Sequence, residues 1–433
     1  MKRRLSTVEH LVDVNVTFIL SIKGSLSVEQ LRLALDKIQR KHPALRMLIE
    51  EKRGELYYYE PEVTKKISLR VVERVADGDL LRERHIELAT PFAQDEPQLR
   101  IVWLRTAQDG ELFISAAHRI CDGMSMLTLI RELLKSLYSD EELLSYEPIT
   151  IQDIIGDLGD EGLLKRKKAA RLANAVIALI PGSRRPLQNK EIFQEWAASP
   201  ALSAALRRRC KLEKAPINAA LLTALDLAFQ QALGKSSPAW LDVPFDGRRG
   251  RLSMLKRDML FFGGGSFKIK TGQSHGVDFW ARARDIHRES NEKIAVELAN
   301  TPGKYQFLEM LKIPSVSKMR TIARLQNLLS RYGRRGVFSF SNLGNLILAD
   351  DQAPFQVADF HGYVHSFSVR FMSIGTYSLH GQLRFIYSGD EKCLNLKQVA
   401  AVRHHFMALL EQHVGEEAVQ VAEPAGVLSA VTE

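Results

Sequence analysis

The sequence contains few cysteines and no long apolar run. Its 433 residues include only 3 cysteines, at Cys121, Cys210 and Cys393, and no C-x-x-C pair. An odd number of widely spaced cysteines argues against a disulfide framework and against a zinc site. No run of about 18 or more apolar residues is present, and the basic start MKRRLSTVEH is not followed by the apolar segment of a signal peptide. These absences predict a reducing, cytoplasmic setting and no membrane-spanning segment.

The composition is that of a globular protein with a basic excess. Hydrophobic residues make up 45% of the chain and charged residues 26%, which excludes intrinsic disorder. The 60 Lys and Arg residues outnumber the 51 Asp and Glu residues, so the formal net charge is +9. Such an excess suits an acidic partner such as nucleic acid, an anionic membrane or a phosphorylated small molecule. The alternative is an excess spread over a large surface.

Strand and helix patterns alternate along the whole chain. Ser27 and Gln30 form a capping-box pattern that predicts a helix ending at His42-Pro43. Strands are predicted at 12–22, 99–106, 111–117, PAWLDV and 337–344, and a hairpin is predicted at 373–389. Further helices are predicted at 124–138, from Pro200, from Pro216, at 277–299 and at 395–413. Residues 262–265 are predicted to form a loop. The alternation predicts an α/β fold.

A domain boundary is predicted where Pro, Gly and charged residues cluster, between Pro181 and Pro186. This divides the chain into an N-terminal half, residues 1–180, and a C-terminal half, residues 181–433.

The strongest local signal for chemistry is the stretch HRICDG, residues 118–123. A predicted strand delivers His118, whose unperturbed pKa near 6.5 suits a general base. Asp122 is predicted to anchor the loop and to need a cationic partner. Gly123 lets the backbone turn or lets a ligand approach closely. Taken alone, the pattern is equally compatible with a structural histidine at a strand end.

With its surroundings, this stretch resembles the H-x-x-x-D-G mark of the chloramphenicol-acetyltransferase-like superfamily of thioester-dependent acyltransferases. That superfamily includes the condensation domains of peptide synthetases, the BAHD enzymes, and the polyketide-associated and alcohol acyltransferases. Other stretches match it in the expected order: RKHPALRMLIE (40–50), PINAALLTALDLAF (216–229), VPFDGRRG (243–250), FSFSNLG (338–344) and GQLRFIYSGD (381–390). The resemblance implies two chloramphenicol-acetyltransferase-like domains, each a mixed sheet flanked by helices, with an active-site channel between them.

The resemblance also implies roles for individual residues. His118 is the general base that takes a proton from an acceptor hydroxyl or amine, and Asp122 forms a structural ion pair with Arg248. Gly123 leaves room for a pantetheine arm. Asn342, with Ser341 beside it, is a candidate for contact with the oxyanion or the substrate. No metal or bound cofactor is implied, because acyl-CoA or a phosphopantetheinyl carrier is itself the co-substrate.

Two departures shape the functional prediction. Condensation domains usually carry a second His before the catalytic one, where this chain has Ala117, and the D-F-G-W-G of BAHD enzymes is at best faintly echoed by ADFHGY (358–363). The closest resemblance is therefore to free-standing bacterial alcohol and polyketide-associated acyltransferases. We predict acyl transfer from a thioester to a hydroxyl or amine. One alternative is an amide-forming condensation enzyme of a nonribosomal peptide or hybrid pathway, and another is a non-catalytic carrier-binding member. Nothing in the sequence assigns a role to Arg119.

The segment LLKRKKAARLANAVIALI, residues 163–180, allows two interpretations. It is either a helix that makes weak contact with a membrane surface or a linker helix with a solvated basic start and a buried apolar end. We favour the linker helix, because its alanines bury little area.

The remaining features suggest no further site. Cys121 is predicted to be a packing residue rather than a nucleophile. The cluster of Arg331, Tyr332, Arg334 and Arg335 is compatible with phosphate binding but more typical of a solvated loop. We attribute the basic charge to an acyl-CoA or acidic carrier donor, with no nucleic-acid partner, and expect a monomer.

Overall fold

The computed structural model describes residues 2–12, 14–24, 26–52, 55–160, 162–183, 190–248, 252, 254–312, 316–329, 337–366 and 371–414. The strands in these ranges are β1 (Lys2–Arg4), β2 (Val14–Lys23), β3 (Leu48–Lys52), β4 (Glu55–Tyr59), β5 (Ser68–Glu73), β6 (Leu99–Arg105), β7 (Asp109–Ala117), β8 (Glu191–Ala197), β9 (Trp240–Asp246), β10 (Gly264–Lys270), β11 (Val337–Leu346), β12 (Gln356–Ser366), β13 (Phe371–Leu379) and β14 (Gln382–Asp390).

The α-helices in the same ranges are α1 (Thr7–Leu11), α2 (Val28–Lys41), α3 (Asp79–Ala89), α4 (Gly123–Lys135), α5 (Ile151–Ile155), α6 (Leu163–Leu179), α7 (Pro200–Leu212), α8 (Ile217–Leu233), α9 (Phe279–Glu309), α10 (Val316–Leu329) and α11 (Leu396–Val414).

The first large sheet has five strands in the order β12-β2-β7-β6-β5. Only the β5–β6 pair is parallel, so the sheet is mixed. One face carries α2 and α4, whose apolar residues share a core with the sheet. A small sheet of β1, β4 and β3 lies beside it. The predicted capping box is present at α2, where Ser27 and Gln30 satisfy each other's backbone N–H groups.

The second large sheet has six strands in the order β10-β9-β11-β13-β14-β8. It is also mixed, because β11 runs parallel to both of its neighbours. Its core includes residues of α7, α8, α9 and α11. Each half of the chain thus contributes a mixed sheet flanked by helices, and the predicted α/β fold class is confirmed.

One strand crosses from the C-terminal half to the N-terminal sheet. β12 pairs antiparallel with β2 along its whole length, from Gln356 opposite Lys23 to Ser366 opposite Val14. The division at residues 180 and 181 stays a prediction, and residues 184–189 of the expected linker lie outside the described ranges.

Three predictions about local structure were wrong. Residues 264 and 265 belong to β10 rather than to a loop, because they pair with the end of β9. The helix predicted at 277–299 continues to Glu309 and includes Pro302. The apolar end of α6 is not buried, since Leu172 is 69% exposed and Leu179 84% exposed.

Arg331, Tyr332, Arg334 and Arg335 lie outside the described residues. Within the ranges that the structure covers, no helix combines the length and the apolar character needed to cross a membrane.

Candidate active site

His118 stands where β7 ends and a short 3₁₀ turn, His118–Ile120, begins. Its Nδ1 lies 2.6 Å from the main-chain carbonyl oxygen of Cys121. A carbonyl oxygen only accepts hydrogen bonds, so Nδ1 carries the proton and Nε2 is the basic nitrogen. The ring also meets the ring of Phe262 edge to face, with 5.1 Å between centroids. This arrangement fixes both the tautomer and the orientation that a general base requires.

Asp122 ties the turn after His118 to α4 and to the loop before β10. Its Oδ1 caps the helix by accepting from the Ser125 N–H at 2.8 Å. Its Oδ2 accepts from the Gly263 N–H at 3.2 Å, and its own N–H donates to the Phe261 carbonyl at 3.2 Å. The carboxylate is therefore a buried structural anchor whose oxygens are engaged by the protein itself.

Arg248 is the cationic partner that the sequence assigns to Asp122. Its Nη2 lies 2.9 Å from Asp122 Oδ1, and its Nη1 lies 2.9 Å from Asp246 Oδ1. The Arg248 side chain is only 2% exposed. Burial alone lowers the pKa of this guanidinium, but the two carboxylates outweigh burial and raise it. The structure thus brings together residues 122 and 248 from opposite halves of the chain.

Ser125 and Asp246 are structural parts of this cluster that the sequence analysis missed. The Ser125 hydroxyl donates to the Phe261 carbonyl at 3.0 Å and accepts from Arg248 Nη2. Ser125 is fully buried. The available signals were a serine three residues after the capping Asp122 and an aspartate inside VPFDGRRG. Serine and aspartate are common in helix starts and loops, so neither residue indicates by itself a buried contact with Arg248.

The expected turn at Asn342 is instead an irregular stretch of β11, where the pairing register with β13 shifts between Asn342 and Asn345. This stretch approaches the same loop from the second sheet. A Cβ added to Gly123 would lie 3.1 Å from Leu343 Cδ2, so the space beside Gly123 is closed on that side. Asn342 Nδ2 donates to Asn218 Oδ1 at 3.2 Å, and Asn342 Oδ1 accepts from the Gly344 N–H at 2.8 Å.

Ser341 lies on β11, opposite Gly375 of β13. Among the contacts of the described residues, none joins the side chain of Ser341 or Asn342 to His118. Their predicted contact with the oxyanion or the substrate remains a prediction.

Two neighbouring groups complete the electrostatics of the site. Burial raises the pKa of the Cys121 thiol, and the charge of Asp122 adds to this, so the reactive thiolate is disfavoured. Burial also raises the pKa of Tyr305 to about 12, and Asp122 again adds to the effect. Both groups are therefore neutral at physiological pH.

Comparisons with known proteins agree with this architecture. The family model of the Condensation domain matches residues 7–257. Nonribosomal peptide synthetase kk1B of Curvularia clavata is 35% identical over 132 residues, which are 29% of this chain and 1% of that protein. Bacitracin synthase 1 of Bacillus licheniformis is 28% identical over 268 residues, which are 57% of this chain and 5% of that protein. The chain thus spans only a small part of the length of these curated relatives.

Solved structures share the fold at low sequence identity. Polyketide synthase associated protein 5 from Mycobacterium tuberculosis superimposes with a TM-score of 0.63 at 16% identity, over 95% of this chain and 98% of that one. The first condensation domain of the calcium-dependent antibiotic synthetase also gives a TM-score of 0.63 at 16% identity, over 98% of this chain and 99% of that one.

Proposed function

The chain belongs to the condensation-domain family, and from this premise we propose that it joins a carrier-bound acyl thioester to an amine, with His118 as the general base. The sequence motifs favour transfer to a hydroxyl or amine, with amide formation on carriers as the alternative. The relatives favour the second reading, because they are named as peptide synthetases and as bacitracin and gramicidin synthases. The observation that carries the proposal is the bond from His118 Nδ1 to the Cys121 carbonyl.

The proposed reaction exchanges a C–S bond for a C–N bond. As the amine nitrogen attacks the thioester carbonyl carbon, Nε2 of His118 accepts the proton that the nitrogen loses. The Nδ1–H bond to the Cys121 carbonyl stabilises the imidazolium that forms. The tetrahedral intermediate then expels the thiolate, which takes the same proton from Nε2 and leaves as a thiol. His118 ends in its starting state.

The other site residues position the reacting groups. Asp122 and Arg248 hold the turn in place without touching the substrate. Gly123 is assigned to the path of the pantetheine arm, which must pass on the side of Gly123 away from Leu343, because a Cβ at Gly123 would already lie 3.1 Å from Leu343 Cδ2. We assign stabilisation of the oxyanion to Asn342, with Ser341 as a neighbouring polar contact. The reaction needs no metal or bound cofactor, since the thioester supplies the free energy.

The donor in this proposal is a carrier protein that presents its acyl group on phosphopantetheine. A carrier with an acidic surface suits a chain whose net charge is +9, and electrostatic attraction speeds the encounter. Acyl-CoA is the second donor to test, because its phosphates are attracted in the same way. Either donor should react more slowly as salt is raised.

The test is an acyl-transfer assay with acyl-carrier and acyl-CoA donors against amine and alcohol acceptors, with products identified by mass spectrometry. We expect amide products, and His118→Ala should lower the rate about 10²–10⁴-fold. The matched control is His85→Ala, since His85 is an exposed histidine on α3. Undiminished transfer by His118→Ala would overturn the assigned base. If only esters formed, amide formation would be overturned and the chain would act as an alcohol acyltransferase.

A further inference from the structure

An open cavity of about 700 Å³ lies between α9 and the two strands at one edge of the second sheet, β9 and β10. On β9, Leu241 and Val243 point into the core and are 0% and 3% exposed, whereas Trp240 and Asp242 line the cavity. Because side chains alternate along a strand, the cavity lies on the face of β9 away from the core. We call it the α9 cavity.

The course of α9 explains why this space is open. The first turns of the helix pack into the core of the second sheet through Phe279, Ala283 and Ile286. Its later turns pack instead against α1 and α5, where Leu298 and Leu308 join a separate apolar cluster. The middle of α9 therefore passes over the edge strand β10 and leaves the outer face of β9 and β10 without a helix packed against it.

Three hydrophobic side chains line the α9 cavity, one from each element. They are Trp240 of β9, Phe267 of β10 and Val296 of α9. Val296 is 57% exposed although its side chain is aliphatic. A cavity of several hundred Å³ with apolar walls and a few polar groups is typical of small-molecule sites, because a ligand there removes apolar surface from water.

Asp242 gives the cavity a preference for charge. The Ser266 hydroxyl donates to Asp242 Oδ1 at 3.0 Å, and among the described residues no basic side chain forms an ion pair with this carboxylate. Burial raises the pKa of the Asp242 carboxyl, and Glu297 adds to this. The bond from Ser266 and the charge of Lys268 oppose the shift without cancelling it. A half-buried carboxylate in this position is stabilised by a cation in direct contact.

Other charged groups around the cavity are neutralised by the protein. Lys304 forms an ion pair with Glu297, and Lys293 forms one with Glu289 at 2.7 Å. The ammonium of Lys293 also lies 6.0 Å from the centroid of the Trp240 ring. These lysines are therefore held away from Asp242 by their own partners.

Lys268 is the protein's own competitor for Asp242. It lies directly opposite Asp242 in the β9–β10 ladder, and it is exposed. Among the contacts of the described residues, none joins its ammonium to the carboxylate. A ligand cation with an apolar body has an advantage over Lys268, because it covers Trp240 while it reaches Asp242.

We propose that the α9 cavity binds a primary amine with an apolar body, its ammonium on Asp242 and its body against Trp240 and Val296. An ammonium donates a charge-assisted hydrogen bond to the free carboxylate oxygen, and the indole ring attracts the cation as well as the carbons next to it. The other side chains named above set the shape of the site.

The α9 cavity is separate from the catalytic centre. Asp242 and Asp246 belong to the same strand, and four residues of strand span about 13 Å. Asp246 is the residue that contacts Arg248 beside the His118 turn. An amine in the cavity therefore binds whether or not the chain transfers acyl groups.

Hexylamine, which is protonated near pH 7, is the probe, and hexanol is its neutral analogue. Saturation-transfer NMR and tryptophan fluorescence of the wild-type protein should show saturable binding of hexylamine and at least fivefold weaker binding of hexanol. Asp242→Asn keeps the shape of the side chain and removes its charge, so it should weaken hexylamine binding at least tenfold and leave hexanol unaffected. His118→Ala should bind hexylamine as the wild type does.

Three further variants sharpen the test. Lys268→Met should strengthen hexylamine binding about two- to fivefold, because it removes the competing cation. Trp240→Phe should abolish the fluorescence change while NMR still detects binding. Glu292→Gln is the matched control, since Glu292 is an exposed acid at the rim of the same cavity; it should change binding less than about twofold.

Several results would overturn the proposal. They are no saturable binding of hexylamine, equal binding of hexylamine and hexanol, and binding that Asp242→Asn leaves unchanged. Equal weakening by Glu292→Gln and Asp242→Asn would show general attraction to acidic groups instead of a site. Loss of binding in His118→Ala would place the amine at the catalytic centre. If Asp242→Asn does not fold, Lys268→Met decides, and unchanged hexylamine binding by that variant counts against the site.

Discussion

His118 and Cys121 are joined by a hydrogen bond from the ring Nδ1 to the main-chain carbonyl oxygen, at 2.6 Å. The Cys121 side chain points elsewhere, with its thiol near the Ala117 carbonyl. The bond that orients the imidazole of His118 therefore uses the backbone of Cys121 and not its sulfur. A residue that looks like a nucleophile in the sequence thus contributes to the site through its peptide group.

Replacing the sulfur should consequently leave the chemistry intact. We expect Cys121→Ala to retain acyl transfer while losing about 1–2 kcal/mol of unfolding free energy, because it removes a buried side chain. Transfer rates and urea denaturation measure the two effects. An acyl group found on Cys121 by mass spectrometry of the wild-type protein would contradict this prediction.

The Asp122–Arg248 pair should behave as a buried, coupled unit. Arg248→Met should lower the unfolding free energy by about 3–5 kcal/mol, because it leaves the buried Asp122 carboxylate without its cation. Asp122→Asn should cost about 1.5–3 kcal/mol, because Arg248 keeps its ion pair with Asp246. The double variant should cost less than the sum by about 1–3 kcal/mol. Denaturation of all four proteins measures this coupling. The exposed pair Arg105 and Glu73 is the control, with an expected coupling below about 1 kcal/mol. Equal couplings would show that burial is irrelevant here.

Leu343 should limit the size of the side chain that position 123 can accept. An alanine there would place Cβ 3.1 Å from Leu343 Cδ2, so Gly123→Ala should cost about 1 kcal/mol or more and displace Leu343. In a Leu343→Ala background, where the contact is removed, Gly123→Ala should cost less unfolding free energy than it does in the wild type. Thermal unfolding and transfer rates of the four proteins test this. Gly78→Ala is the control, because nothing lies within 4 Å of a Cβ there. Strict additivity would rule out the contact.

His42 should make stability depend on pH. It is fully buried between Glu132, at 2.7 Å from Nε2, and the Tyr146 hydroxyl, at 3.0 Å from Nδ1. Burial is the largest effect and lowers the pKa of His42 below the ordinary 6.5, and the charge of Lys41 lowers it further. The carboxylates of Glu132 and Asp258 raise the pKa but do not outweigh burial. Below pH 6.5 the unfolded chain therefore binds a proton that the native protein resists.

The unfolding free energy should accordingly fall as pH drops from 6.5 towards the lowered pKa of native His42, by up to about 1.4 kcal/mol per pH unit. Above pH 6.5 the contribution of His42 should be constant. The difference between the unfolding free energies of the wild type and His42→Gln, measured across pH, isolates the effect. Parallel curves would exclude His42 as its source.

Local signals predicted much of this fold because they have local causes. The capping box at Ser27 and the β7–turn–α4 unit around His118 depend on a few adjacent residues, and both are present. The fold class and the superfamily followed from several such stretches in order. The roles assigned to His118 and Asn342 remain predictions.

What the sequence missed depends on distant neighbours. Nothing in the ten residues of β2 specifies that β12 is its partner, because alternation determines a face but not a neighbour. The exposure of Leu179 could not be predicted either, since an apolar helix end is equally compatible with a core. The contact of Phe262 with His118 depends on how the loop before β10 packs, which no local sequence pattern specifies.

The pairing of β2 with β12 also has a consequence for synthesis. β7 can pair with one side of β2 soon after both are synthesised, but until Ser366 leaves the ribosome the other side of β2, whose sequence is VNVTFILSIK, is an open sheet edge. About 340 residues separate the two strands, which at ~5–20 residues per second is roughly 20–70 s. An apolar edge exposed for that long is a template for pairing with other nascent chains. The chain therefore passes through a period of aggregation risk that ends only when its last third is translated.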